Sequence, residues 1–172
     1  APLLAAEPRV HLAIRHTRRD LVIAGETERC EHILRALPGS RSRPLEYNLA
    51  VHVPELETIS SAWLELHRRP TFPVPGIRFY STAAAAAYAP DTESAAQAIL
   101  AQAVTTLDLP GVVEQAWSDG VRVFIEHGPQ AICASWIRRI LGDREAVVVS
   151  LDRRGRGVRQ VFEAVAALLA AG

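Results

Sequence analysis

Apolar Val10, Leu12 and Ile14 alternate with His11, Ala13 and Arg15, the period-two pattern of a strand with one buried face. Arg18, Arg19 and Asp20 form a polar turn, and Leu21 to Ala24 predicts a second short strand closed by Gly25. Thr27 is a suitable N-cap for a helix carrying Cys30, Ile33, Leu34 and Leu37, which Pro38 and Gly39 end. After a polar loop from Ser40 to Pro44, residues Leu45, Tyr47, Leu49 and Val51 share one face of a third strand. The first fifty or so residues therefore read strand, strand, helix, strand, the order of a small split β-α-β layer.

Pro54 falls near the start of the next helix, where proline is tolerated. Leu56, Ile59, Trp63, Leu64 and Leu66 recur at helical spacing as far as Arg68, Arg69 and Pro70. Pro73 to Gly76 is extended and leads into a strand over 77–80. The alanine run Ala83 to Ala87 favours helix by propensity, but Ser81, Thr82 and Pro90 bracket it closely, so it reads as a loop or short turn. Thr92 or Ser94 caps a helix through Ala96, Ile99, Leu100, Ala103 and Val104. Pro110 starts another through Val112, Val113, Ala116 and Trp117, ended by Asp119 and Gly120. Val121, Val123 and Ile125 predict a strand stopping at His127, Gly128 and Pro129, and a helix follows over Ile132 to Leu141. Ala146 to Leu151 is a continuous apolar run of the kind found in buried parallel strands. After a basic turn, Val158 to Leu169 predicts a last helix. Alternating strands and helices from Ile77 onward mark an α/β layer with a mostly parallel sheet.

A chain of 172 residues is long enough for one domain, or one and a half, with a core. It contains no methionine, which we read as a processed chain or a piece of a longer one. Its 19 basic residues are all arginine and are balanced by 19 acidic ones. A neutral chain argues against nucleic acid or an anionic membrane as the main partner. There is no apolar run of about 18 residues, as a membrane-spanning helix would need, and the start lacks a signal-peptide pattern. Cys30 and Cys133 are far apart and fit no metal spacing, so a reduced, cytoplasmic setting is the simpler reading.

Chemistry is sought first among the histidines. His11, His16, His32 and His67 show no partner pattern and read as surface or rim residues. His52 directly follows a strand and precedes a helix, the position where α/β proteins place reactive side chains. The bland alternative is a solvent-facing loop histidine. His127 also stands at a strand end, in Phe124-Ile125-Glu126-His127-Gly128-Pro129, and there a plain β-to-α turn is the preferred reading. The pairs Cys30/His32 and His127/Cys133 have the wrong spacing for a metal site. No glycine-rich phosphate loop and no Gly-x-Ser-x-Gly element is present, so a base at His52 would have no visible nucleophile on this chain.

The order of these motifs resembles the C-terminal part of the acyltransferase domain of type I polyketide and fatty-acid synthases. Val10-His11-Leu12-Ala13-Ile14 with Leu21-Val22-Ile23-Ala24-Gly25 matches the first strands of that family's small subdomain. Leu49-Ala50-Val51-His52-Val53-Pro54-Glu55 stands where the family has its catalytic histidine. Leu100-Ala101-Gln102-Ala103 with Leu109-Pro110-Gly111-Val112 matches its glutamine helix, and Phe124-Ile125-Glu126-His127-Gly128-Pro129 its Phe-x-Glu-x-Gly-Pro. The Val-Ile-Ala-Gly ending, the cysteine-bearing helix and the tail Cys133 to Gly142 resemble the iterative subgroup of polyunsaturated fatty-acid and enediyne synthases. The chain departs from the family at Arg15-His16-Thr17-Arg18, where Asn-x-Pro is usual. It lacks Ser and Met after the histidine, and the residues before His52 match neither the malonyl nor the methylmalonyl pattern.

The resemblance implies an α/β (α+β) fold. After a linker stub over 1–8, a ferredoxin-like small subdomain would cover 9–53 and the C-terminal part of an α/β-hydrolase-like body 54–172. It implies transfer of an acyl group, malonyl for choice, from coenzyme A to the phosphopantetheine thiol of an acyl carrier protein, with no bound cofactor and no metal. His52 would be the general base, Gln102 would orient it through a backbone carbonyl, and Val51 would contact the substrate. The serine nucleophile would lie upstream of Ala1, leaving this chain inactive alone. Its partners would be the carrier protein, the N-terminal remainder of the domain and a neighbouring ketosynthase, with neither nucleic acid nor membrane. Two rivals are a non-catalytic acyltransferase-like docking or structural module, and a free-standing ferredoxin-like ligand-binding domain.

Overall fold

The computed structural model describes residues 2–37, 39–45 and 49–172. They form a mixed α/β structure of two compact units, Ala1–Leu109 and Pro110–Gly172.

In the first unit, a short helix α1 (Pro2–Ala5) precedes strands β1 (Val10–Arg15) and β2 (Leu21–Gly25) and helix α2 (Thr27–Arg35). A 3-10 helix (Pro54–Ile59), α3 (Ser60–His67), β3 (Phe79–Ser81), β4 (Ala86–Tyr88), α4 (Thr92–Val104) and β5 (Leu107–Asp108) follow. β1 is central in a three-stranded sheet, antiparallel to β2 and parallel to β5. The β1–β2 register shifts between Leu12 and Ile14, leaving Ala13 at a bulge and almost fully buried. Gly25 is required where β2 ends: its φ is +153°, and a Cβ there would lie 2.1 Å from the Arg9 carbonyl oxygen. β3 and β4 form a separate antiparallel hairpin.

The second unit holds α5 (Leu109–Ser118), β6 (Val123–Glu126), a 3-10 turn (Pro129–Ala131), α6 (Ile132–Leu141), β7 (Val147–Ser150) and α7 (Val158–Ala170). β6 and β7 pair in parallel, with α6 as their crossover, the arrangement expected from the apolar run at 146–151. Trp117 on α5 is stacked by the Arg122 guanidinium at 3.7 Å and approached by Arg144 at 5.5 Å. Arg144 in turn grips Glu114 with two hydrogen bonds, of 2.6 and 3.1 Å.

Several elements differ from their sequence expectations. The expected linker stub contains α1, and Glu7 behind it is held by Arg29 and His32, each at 2.8 Å. Glu26, not Thr27, occupies the N-cap of α2 and gives no side-chain cap. The helix opened by Pro54 begins as a 3-10 helix and becomes α-helical only at Ser60. The alanine run turns as expected, but its last two residues join Tyr88 as strand β4, because antiparallel pairing to β3 satisfies their backbone. Asp91, rather than Thr92 or Ser94, caps α4: its carboxylate accepts from the Ser94 N–H at 2.7 Å, and the Ser94 hydroxyl accepts from the Asp91 N–H at 2.8 Å. The strand expected over 45–51 falls partly on Glu46, Tyr47 and Asn48, which lie outside the described residues. Its described flanks, Leu45 and Leu49 to Val51, are exposed and not in a strand.

Both cores consist largely of valine and alanine, with Val10, Val53 and Ala96 in one and Val113, Ala134 and Val149 in the other. Many larger apolar residues are exposed. On α7 they include Val158, Val161, Phe162, Val165 and Leu169, which fall at helical spacing. No helix among the described residues is long and apolar enough to cross a membrane.

Candidate active site

The C-terminal end of α4 leaves carbonyl oxygens that have no helical partner. The segment His52–Val53 fills two of them. The His52 ring donates from Nδ1 to the Gln102 carbonyl oxygen, and the Val53 N–H donates to the Ala103 carbonyl oxygen at 3.3 Å. Thr105 takes a third, its N–H and hydroxyl both donating to the Ala101 carbonyl oxygen, at 3.0 and 2.8 Å.

This geometry decides what the imidazole can do. A carbonyl oxygen can only accept, so in the neutral ring Nδ1 carries the hydrogen and Nε2 keeps its lone pair. Nε2 has no partner among the described residues. The ring is half-buried. His52 also has φ +63°, a left-handed conformation that costs a non-glycine residue roughly 1 kcal/mol. Nearby anchoring must offset that cost: Val53 is buried, and Pro54 has its φ fixed by its ring. A half-buried imidazole with one fixed tautomer and one free lone pair is equipped to take a proton from a hydroxyl or thiol and return it.

The structure thus brings together His52 and the Gln102 backbone, residues fifty positions apart. Val51 is exposed immediately before the ring. The other histidines are engaged elsewhere or carry no such contact. His11 meets Glu55 at 2.8 Å, His32 meets Glu7 at 2.8 Å, and the His67 ring donates to the Trp63 carbonyl oxygen at 2.7 Å. His16 sits in the β1–β2 turn, where burial lowers its imidazole pKa and the nearby Asp20 charge raises it to a lesser degree. His127 is exposed in the second unit. Burial raises the Cys30 thiol pKa, and burial followed by the Glu126 charge raises that of Cys133, so neither is primed as a nucleophile. Among the described residues no cluster of three or more His, Cys, Asp or Glu could hold a metal ion.

Sequence reasoning placed Glu126 in a motif but gave it no role. Its Oε1 accepts from the Ile132 and Cys133 N–H groups at 3.1 and 3.2 Å, and its Oε2 from Ala134 at 2.7 Å. These are the first-turn donors of α6, whose own N-cap, Ala131, has no side chain to offer. The signal in the sequence was a helix start without Ser, Thr, Asp or Asn, and an acidic residue at the preceding strand end.

Comparison with known proteins agrees with this architecture. No family model matches the chain. A non-reducing polyketide synthase of Aspergillus fumigatus, nscA, is 28% identical over 155 residues, covering 87% of this chain and 8% of that protein. Among solved structures, the acyltransferase domain from the second module of the salinomycin polyketide synthase superposes with TM-score 0.79 at 20% identity, over 97% of this chain and 40% of that one. The acyltransferase domain of SpnD gives TM-score 0.83 at 19% identity, over 99% and 42%. Malonyl-CoA:acyl carrier protein transacylase from Xanthomonas oryzae gives 0.77 at 20%, over 98% and 52%. The chain therefore has the α/β fold of the C-terminal part of an acyltransferase domain. It spans 40 to 52% of these structural neighbours and 8% of the polyketide synthase.

Proposed function

We propose that this chain supplies the general-base part of an acyltransferase that moves an acyl group, malonyl for choice, from coenzyme A to an acyl carrier protein in polyketide or fatty-acid synthesis. The observation that carries the reading is the Nδ1 hydrogen bond from His52 to the Gln102 carbonyl. That bond leaves Nε2 as the only ring nitrogen able to accept a proton. The fold neighbours, which include polyketide-synthase acyltransferase domains and a malonyl-CoA:acyl carrier protein transacylase, support the reaction class.

In this reading a serine supplied by the N-terminal remainder of the domain attacks the thioester carbonyl. Its hydroxyl proton passes to His52 Nε2 as the serine–acyl bond forms. The carbon–sulfur bond breaks, and the coenzyme A thiolate takes the proton from Nε2. In the second half-reaction Nε2 takes the proton of the carrier's phosphopantetheine thiol. The thiolate attacks the serine ester, and the serine oxygen leaves with that proton. Gln102 acts through its main chain, so its side chain is not required. Val51, exposed beside His52, would touch the acyl group. The iterative subgroup, a cytoplasmic setting and an adjacent ketosynthase complete the proposal on the strength of the motifs.

Two measurements test it. Incubated with malonyl-coenzyme A, this chain should show no acyl adduct on a serine by intact mass; a stable adduct refutes the assignment of the nucleophile to another segment. In the complete protein, His52→Ala should slow both acyl loading and transfer by about 10² to 10⁴. His127→Ala should stay within about tenfold of wild type. The reverse pattern would place the base at the wrong histidine.

A further inference from the structure

Glu55 stands three residues beyond His52, on the 3-10 helix that packs against α3 and α4. Its Oε1 lies 2.8 Å from Nε2 of His11, which is on β1. The next residue of β1, Leu12, accepts a hydrogen bond on its carbonyl oxygen from the Thr106 hydroxyl, just beyond α4. The His11 ring and the Leu12 main-chain carbonyl, at adjacent β1 positions, therefore tie the sheet to the 3-10 helix that follows His52 and to the segment just beyond α4. The tether between Glu55 and His52 is stiff: Pro54 has a locked φ, and Val53 is buried with its N–H bonded to Ala103. On the other side of His52, Leu49 and Val51 are exposed. The left-handed backbone of His52 is thus anchored from its C-terminal side, and Glu55 is the outermost anchor. The Glu55 carboxyl is held below the usual carboxylate range, first by the hydrogen bond to His11 and then by its own backbone N–H.

We propose that Glu55 and His11 form a positioning pair that keeps the His52 ring on the Gln102 carbonyl, and so sets the rate of proton transfer without touching substrate. The proposal rests on the reading of His52 as base. It assigns a role to two residues that no catalytic motif includes. The pair is partly exposed, with the His11 side chain 24% and the Glu55 side chain 53% accessible, which limits the effect.

The test uses the complete acyltransferase that contains this chain, with malonyl-coenzyme A and pantetheine as the acceptor thiol. Glu55→Ala and His11→Ala should each lower kcat about fivefold, the upper range for a partly exposed pair, with KM unchanged. The double variant should be no slower than either single one. Glu55→Gln, whose amide oxygen still accepts from Nε2–H of His11, should restore most of the rate. A Glu55→Ala enzyme within about 1.5-fold of wild type, or a double variant that multiplies the two losses, overturns the proposal. In parallel, nitrogen-15 spectra of histidine-labelled protein report the His52 tautomer. The Nδ1–H form should lose population in Glu55→Ala and regain it in Glu55→Gln; an unchanged tautomer overturns the positioning role. A His52→Ala enzyme of normal rate would refute the base assignment instead, and the tautomer measurement would still decide whether Glu55 orients the ring.

Discussion

Replacing Glu126 by alanine deletes one carboxylate that accepts three backbone N–H groups at the start of α6. The N-cap residue itself, Ala131, makes no side-chain cap. Loss of an N-cap typically costs about 1 kcal/mol, and loss of an anion from a helix N-terminus a further 0.3–1 kcal/mol or so. Because one group here serves three donors, the expected loss for Glu126→Ala is about 2 kcal/mol. Glu126→Gln keeps an acceptor but not the charge and should lose about 1 kcal/mol. In a chain of this size those losses lower Tm by about 4–8 °C and 2–4 °C. Urea unfolding followed by far-ultraviolet circular dichroism gives the free energies. Amide exchange at Ile132, Cys133 and Ala134 localises them, because opening should quicken there first. Glu145→Ala, an exposed acid without a partner among the described residues, is the control and should change stability by less than about 0.5 kcal/mol. If Glu126→Ala behaves like that control, or if exchange at the three amides is unchanged, the capping role is wrong.

Other perturbations follow from the same geometry. Gly25→Ala should cost about 3 kcal/mol or more in urea unfolding, since its Cβ would sit 2.1 Å from the Arg9 oxygen; a loss below about 1 kcal/mol contradicts the close approach. Trp117→Ala should cost about 2–3 kcal/mol through lost packing and the two arginine contacts, and Trp117→Phe distinctly less. Burial depresses the His16 pKa, so the unfolded chain binds that proton more readily, and stability must fall as pH drops below the ordinary imidazole value of about 6.5. His16→Asn should flatten the change in stability measured between pH 7.5 and 5.5, and an unaltered slope would refute the assignment. The apolar face of α7 and the exposed Val123 and Ile125 of β6 predict association of the isolated chain at micromolar concentration, and sedimentation showing only a compact, cooperatively melting monomer would refute it.

Period-two alternation was enough to place β1, and a continuous apolar run to place β7, because each pattern states which faces of a segment are buried. Helical spacing likewise located α4, α6 and α7. The motif order pointed to His52 and Gln102, and the α/β class was legible with them. The alternation at 45–51 falls partly outside the described residues, and its described flanks, Leu45 and Leu49 to Val51, are not in a strand. β1 has β2 on one edge and the two-residue β5 on the other. Nothing in the local sequence of Leu107 and Asp108 announces so short a strand; its partner decides it. The same holds at the site. Residue type made His52 a candidate base, but its tautomer depends on a carbonyl fifty residues away that is unpaired only because α4 ends there. Its left-handed backbone depends on anchors that include Val53 against Ala103, and the cap of α6 depends on a strand end beyond the reach of helix-start rules. Side-chain periodicity is written along the chain, whereas hydrogen bonds between distant backbone groups exist only once the elements are packed.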